Sequence, residues 1–260
     1  WKGTFYHGKR RGEDCHDGDW AAIQSALQFL EDPPDQPFCL YLPLSFVHPP
    51  YAVEEPFFSM HDIEDIPEPI PAELSGKRTY MRKLHRAHNI DGLSSRDLRE
   101  IKRTFYGMTS RLDHHLGLVM DKLHESGLWD DTLFAFFSDH GDYAGDFGMV
   151  EKFLAGFEDC LLHVPLVLAG AGIDPAEDRD CLCEMTDLYP TLMDLIDLEP
   201  RHYQFGRSLA PILRGEQTEL RDAVFAEGGY HTDQHKHFNV ELHPGSLYWP
   251  MYQLLENNPH

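Results

Sequence analysis

No run among the 260 residues approaches the roughly 20 consecutive apolar side chains that a membrane-spanning helix needs. The opening WKGTFYHGKRRGEDC does not have the form of a signal peptide. Positive charge is scarce: 22 Lys and Arg stand against 44 Asp and Glu, for a formal net charge of −22. The two signs are mixed along most of the chain, so this is not an acidic tail. Nucleic acid and anionic membrane surfaces need a cationic footprint, and the balance argues against both as main partners. The same field repels anionic small molecules, so a site that handles an anion needs strong local positive charge. Cysteine is sparse too: Cys15, Cys39, Cys160, Cys181 and Cys183. Their odd count and scatter do not suggest a disulfide framework, and Cys181-x-Cys183 is too tight for a zinc knuckle and lacks a matching pair. Free cysteines pack as small apolar residues, which leans toward a reduced, cytoplasmic setting. The first residue is Trp1 rather than Met, which leaves room upstream for a targeting signal and for a periplasmic or secreted protein.

What is present suits a globular protein: 42% hydrophobic and 25% charged residues, enough for one large domain or two smaller ones. Residues 17–31 predict a helix, capped by Asp17 or Asp19, with Ala22, Ile23, Ala26, Leu27 and Leu30 on its apolar face. FCLYLPLSFV (38–47) predicts a strand buried on both faces, running into His48-Pro49-Pro50-Tyr51. Residues 52–94, rich in proline and charge, predict a long surface excursion. Ser94-x-x-Asp97 then forms a capping box, and apolar residues at 98, 101, 105, 108, 112, 116, 119 and 123 predict one long amphipathic helix ending near Gly127. Thr132–Ser138 and Val164–Ala169 are strand-like, and a helix is expected over roughly 186–198. This alternation predicts an α/β fold with a mostly parallel or mixed sheet flanked by helices. Residues 1–225 are expected to form its main domain and 226–260 the start of an incomplete C-terminal subdomain.

The chemistry concentrates in SDHGDYAGDFGMVEK (138–152). Asp139 and His140 arrive together at the C-terminal end of a strand, where open α/β sheets bind ligands. Both can face one cation if Gly141 turns the chain. A carboxylate oxygen suits Ca²⁺ or Mg²⁺, and the imidazole is compatible with several divalent ions. The glycines that follow allow the loop to fold back and return Lys152 to the same place. Asp142 and Asp146 are expected to shape that loop.

The blocks from Arg111 to Lys152 resemble the sulfatase family of the alkaline-phosphatase-like superfamily. They comprise Leu112-Asp113, Leu116-Gly117, Gly127-Leu128-x-Asp130-x-Thr132-Leu133, Ser138-Asp139-His140-Gly141 and the Gly145–Gly148 loop. Val164-Pro165-Leu166, Thr186-Asp187-Leu188-x-Pro190-Thr191-Leu192 and Gly206-x-Ser208-Leu209 continue the resemblance in the family's order. It implies a sulfatase-like fold, truncated here at both ends. It implies that Asp139 and His140 ligate a divalent cation, Ca²⁺ foremost. Lys152 would contact the sulfate and the nucleophile, and His48 would contact the sulfate and protonate the leaving oxygen. The substrate class implied is a sulfate ester, small-molecule or saccharide.

Two departures bear on this. No Cys-x-Pro-x-Arg or Ser-x-Pro-x-Arg occurs in the 260 residues. The cassette that becomes formylglycine is therefore expected in a missing N-terminal half, and this piece is expected to be inactive alone. Phe147 stands where the family often has histidine. A phosphonate or phosphate esterase of the same superfamily, or a non-catalytic binding homologue, would show the same residues.

Overall fold

The computed structural model describes residues 4–12, 17–72, 75, 82, 85, 90–153, 156–173 and 178–228. These fall into two compact units. The first holds the described residues of Trp1–Ser126 and Asp142–Gly156, the second those of Gly127–Gly141 and Phe157–Gly228. Cys15, the histidines near 231–237 and all but the first three residues of the expected C-terminal subdomain lie outside the described residues.

In the first unit Asp17 caps α1 (Gly18–Glu31), its carboxylate accepting from Trp20 N–H at 2.9 Å. Ile23, Ala26 and Leu30 form the buried face. The predicted long helix is α2 (Ser95–Glu125), with both halves of the Ser94/Asp97 capping box formed. Its buried stripe runs through Ile101, Thr104, Met108, Arg111, His115, Val119 and Leu123. The apolar spacing placed Leu112 and Leu116 at the centre of that stripe instead. Two polar residues occupy those turns because Arg111 finds a buried acidic partner in Glu54 and His115 packs against Trp20, ring centroids 5.1 Å apart. Ser94→Ala removes one capping acceptor and is expected to cost about 1 kcal/mol, read as a lower urea midpoint with unchanged slope.

The core of this unit gathers Phe5, Tyr51, Val53, Ile90, Ile101, Met108 and Val150. Tyr51 and Val53 lie on β2 (Tyr51–Val53), which pairs in parallel with β1 (Tyr6–Lys9) and is buried throughout. The expected surface excursion therefore begins inside the core. It continues with 3-10 turns at Phe57–Ser59, Ile63–Asp65 and Ile90–Gly92.

The strand expected at 38–47 does not form. No ladder pairs this segment among the described residues, and Phe38, Leu40 and Tyr41 are 40%, 38% and 70% exposed. Its composition suits an interior strand, but a strand also needs a neighbour for its backbone, and composition does not supply one.

In the second unit β3 (Leu133–Phe137) and β4 (Leu166–Gly170) pair antiparallel, Leu133 opposite Gly170 and Phe137 opposite Leu166. Between them lies the short α3 (Asp159–Leu162). The helix expected near 186–198 divides into a 3-10 turn, Met185–Asp187, and α4 (Leu188–Leu195); α5 (Ala210–Leu213) follows. Asp187, fully buried, accepts from Arg207 N–H at 2.8 Å and from Arg221 Nη2 at 2.6 Å, tying the segment after α4 back to its start.

Candidate active site

The turn that carries His48 is held from α1. Asp19, buried in the first turn of that helix, accepts from Ser45 N–H at 2.9 Å and Phe46 N–H at 2.7 Å. His48 N–H then donates to Ser45 O at 2.9 Å, closing the turn. The Phe46 ring lies under the Arg111 guanidinium at 3.9 Å. His48 Nδ1 sits 2.9 Å from Pro49 O. A carbonyl can only accept, so Nδ1 carries the hydrogen and Nε2 is the nitrogen that gains or loses a proton.

Residues 142–152 fold into a closed loop opposite that turn. Tyr143 N–H donates to Glu151 O at 3.0 Å and Gly145 N–H to Met149 O at 2.9 Å. Ala144, Gly145, Phe147, Gly148 and Glu151 all have positive φ, which curls the loop tightly. Asp146 fastens its far end by accepting from Lys102 Nζ at 2.5 Å and Ile70 N–H at 2.8 Å. At the near end Tyr51, fully buried, donates its hydroxyl proton to Asp142 Oδ1 at 2.6 Å and accepts from Glu151 N–H at 2.8 Å. Both aspartates thus shape the loop. Burial pushes Asp142 up to about 6, against the hydrogen bonds from Tyr51 and Ala144. Burial, reinforced by Asp142, drives the Tyr51 hydroxyl well above its ordinary value.

This loop delivers Lys152 to His48 across 104 residues of sequence, Nζ to Nε2 at 2.7 Å. Glu151 joins them, its Oε1 2.6 Å from Lys152 Nζ and 3.1 Å from His48 Nε2. Burial alone would raise the Glu151 carboxyl, but hydrogen bonds from His48 and Lys152 hold it below its usual value. The bond to Glu151 raises His48, opposed by burial and by the Lys152 charge and helped by the Pro49 carbonyl.

Asp139 and His140 belong to the second unit, at the end of β3. His140 Nδ1 lies 2.8 Å from Gly141 O, which again fixes the hydrogen on Nδ1 and leaves the lone pair on Nε2. That nitrogen is 3.7 Å from Asp139 Oδ1, and the Asp139 side chain is 86% exposed. The donor types suit a divalent cation, with imidazole oriented by its other nitrogen as in metal sites generally. One carboxylate and one imidazole nitrogen fall far short of a Ca²⁺ shell of about 6–8 oxygens, and no group of three such residues forms among the described residues. The chain bends at Asp139 rather than at Gly141, which does not have positive φ. The Gly141 N–H donates to Leu161 O at 2.9 Å, and a Cβ there would collide with the Cys160 carbonyl.

Sequence reasoning missed Glu151, Tyr51 and Asp19. The Glu151-Lys152 doublet was the one local signal; Tyr51 and Asp19 act across 100 and 26 residues respectively.

The Sulfatase family model matches residues 4–198. The multifunctional alkaline phosphatase superfamily protein PehA of Trinickia caryophylli is 30% identical over 222 residues, covering 78% of this chain and 43% of that protein. The choline-sulfatase of Rhizobium meliloti is 31% identical over 197 residues, 73% of this chain and 38% of that one. Among solved structures, the phosphonate monoester hydrolase from Silicibacter pomeroyi superposes with a TM-score of 0.66 at 25% identity, covering 78% of this chain and 42% of that one. The chain thus spans less than half the length of these relatives. With the alternating helices and strands expected of the fold in place, and a match over 4–198, the chain belongs to the sulfatase family.

Proposed function

We propose that this chain supplies the acid and the anion-binding cation of a metal-dependent sulfatase that hydrolyses sulfate esters, those of sugars included. The observation that carries the reading is the Lys152 Nζ to His48 Nε2 approach of 2.7 Å, two nitrogens with opposite tasks brought together. Lys152 offsets charge on the sulfuryl oxygens, providing the local positive charge that a protein of net charge −22 otherwise lacks. His48, protonated on Nε2, gives that proton to the ester oxygen as its bond to sulfur breaks and the electron pair stays on oxygen. Asp139 and His140 would hold the cation, which the family resemblance makes Ca²⁺ foremost with Mg²⁺ as the alternative; such a cation, when bound, supplies Lewis-acid charge stabilisation. The nucleophile, a formylglycine in this reading, comes from sequence outside these residues.

The full-length protein is expected to turn over aryl and alkyl sulfates. His48→Ala should slow alkyl sulfates by about 10²–10⁴-fold and a good phenol leaving group far less, because only the poor leaving group needs the proton. Equal losses on both would remove His48 from the acid role. The phosphonate monoester hydrolase neighbour favours a second reading, in which the same groups act on a phosphoryl centre. Preference for an aryl phosphonate monoester over the matching sulfate would establish it. Turnover of neither would point to a non-catalytic binding homologue.

A further inference from the structure

We propose that Glu151 is a positioning residue for this reaction, the fixed anion that keeps the Nε2 proton on His48 while Lys152 stays charged beside it. The proposal rests on the ester-hydrolase reading above and extends it to a residue whose role is not to touch the substrate. At 2.7 Å the Lys152 ammonium donates to the Nε2 lone pair; protonating Nε2 turns that hydrogen bond into a repulsion between an imidazolium and an ammonium, and left alone one of them would shed its proton. With Nδ1–H committed to Pro49 O, the proton at risk on His48 is the one on Nε2, the same proton the leaving oxygen needs. Glu151 Oε1 lies within hydrogen-bonding reach of both cations, and a carboxylate can accept from each.

Nor is Glu151 a surface side chain that happens to fall nearby. Its side chain is 5% exposed. Its backbone has φ of +62°, a left-handed conformation that a non-glycine residue keeps only where its surroundings enforce it. Tyr51 and Tyr143 do so, one accepting from its N–H at 2.8 Å and the other donating to its carbonyl at 3.0 Å. Asp142 and Tyr51, hydrogen-bonded to each other, are further titratable groups facing this cluster.

The test is a pair of readouts on the full-length protein. The first is the His48 ring titration followed by NMR; the second is the pH profile of kcat/KM on an alkyl sulfate. Glu151→Gln keeps the size and removes the charge. It is expected to move the His48 midpoint and the basic limb of the profile to lower pH, so that activity is lost chiefly on the alkaline side. Glu151→Asp, which keeps the charge on a shorter arm, should bring both back toward the wild type. A His48 midpoint unmoved in Glu151→Gln overturns the proposal, even if activity falls. Absence of wild-type turnover would sink the functional reading by itself, and the midpoint would still decide the role of Glu151.

Discussion

Arg111→Ala is expected to destabilise the first unit by about 3–5 kcal/mol, the usual effect of stripping one partner from a buried ion pair. Arg111 is 1% exposed, midway along α2. Its Nε donates to Glu54 Oε1 at 2.6 Å and its Nη2 lies 2.9 Å from Asp17 Oδ2, while the guanidinium stacks on Phe46. Alanine would leave Glu54, itself buried, facing Arg10 at 3.6 Å. The penalty is mostly that of an uncompensated buried charge, so Arg111→Met combined with Glu54→Gln should recover much of it. Urea midpoints of the single and double variants measure both effects. A loss below about 1 kcal/mol for Arg111→Ala would mean the network is solvent-screened and contributes as a surface pair does.

The same network carries a pH dependence. Burial raises Asp17, but the Trp20 N–H and the two arginines outweigh it and hold the carboxyl below its ordinary value. A carboxylate depressed in the folded state adds stability above its unfolded value, and that contribution disappears as pH falls through the folded value. Arg111→Ala should therefore blunt the acid side of the stability profile as well as lower its plateau.

Arg111 also shows where the sequence stopped being legible. α1 and α2 were readable because their caps and apolar spacing are local: Asp17 caps within three residues, and Ser94 with Asp97 within three more. The face of α2 was misjudged in its second half because spacing ranks Leu112 above Arg111, and nothing local reveals Glu54 57 residues away. Phe38–Val47 failed for a related reason, since an apolar run reports suitability for a strand but not the presence of a pairing edge. His48 and Lys152 could be picked out because the family motif spans them. Glu151 could not be given a role, because that role depends on a left-handed backbone and on Tyr51, which lies 100 residues away.

Lys152→Ala is expected to reduce catalysis on aryl and alkyl sulfates alike, by about 10²–10³-fold in kcat for the full-length protein, as for removal of one preorganised electrostatic contact to a transition-state oxygen. The loss should appear equally in kcat/KM, because the charge being offset grows as the bond to the leaving oxygen breaks. Lys152→Arg should recover only part, since a planar guanidinium does not place its charge where a compact ammonium did. The pH profile provides the sharper check. Lys152 opposes protonation of its neighbour and Glu151 favours it, so the two substitutions move His48 in opposite directions. Residual activity of Lys152→Ala should extend to higher pH than the wild type, whereas Glu151→Gln retreats to lower pH. Opposite shifts from adjacent residues identify charge acting on one proton; general disruption of the loop would move both profiles the same way or neither.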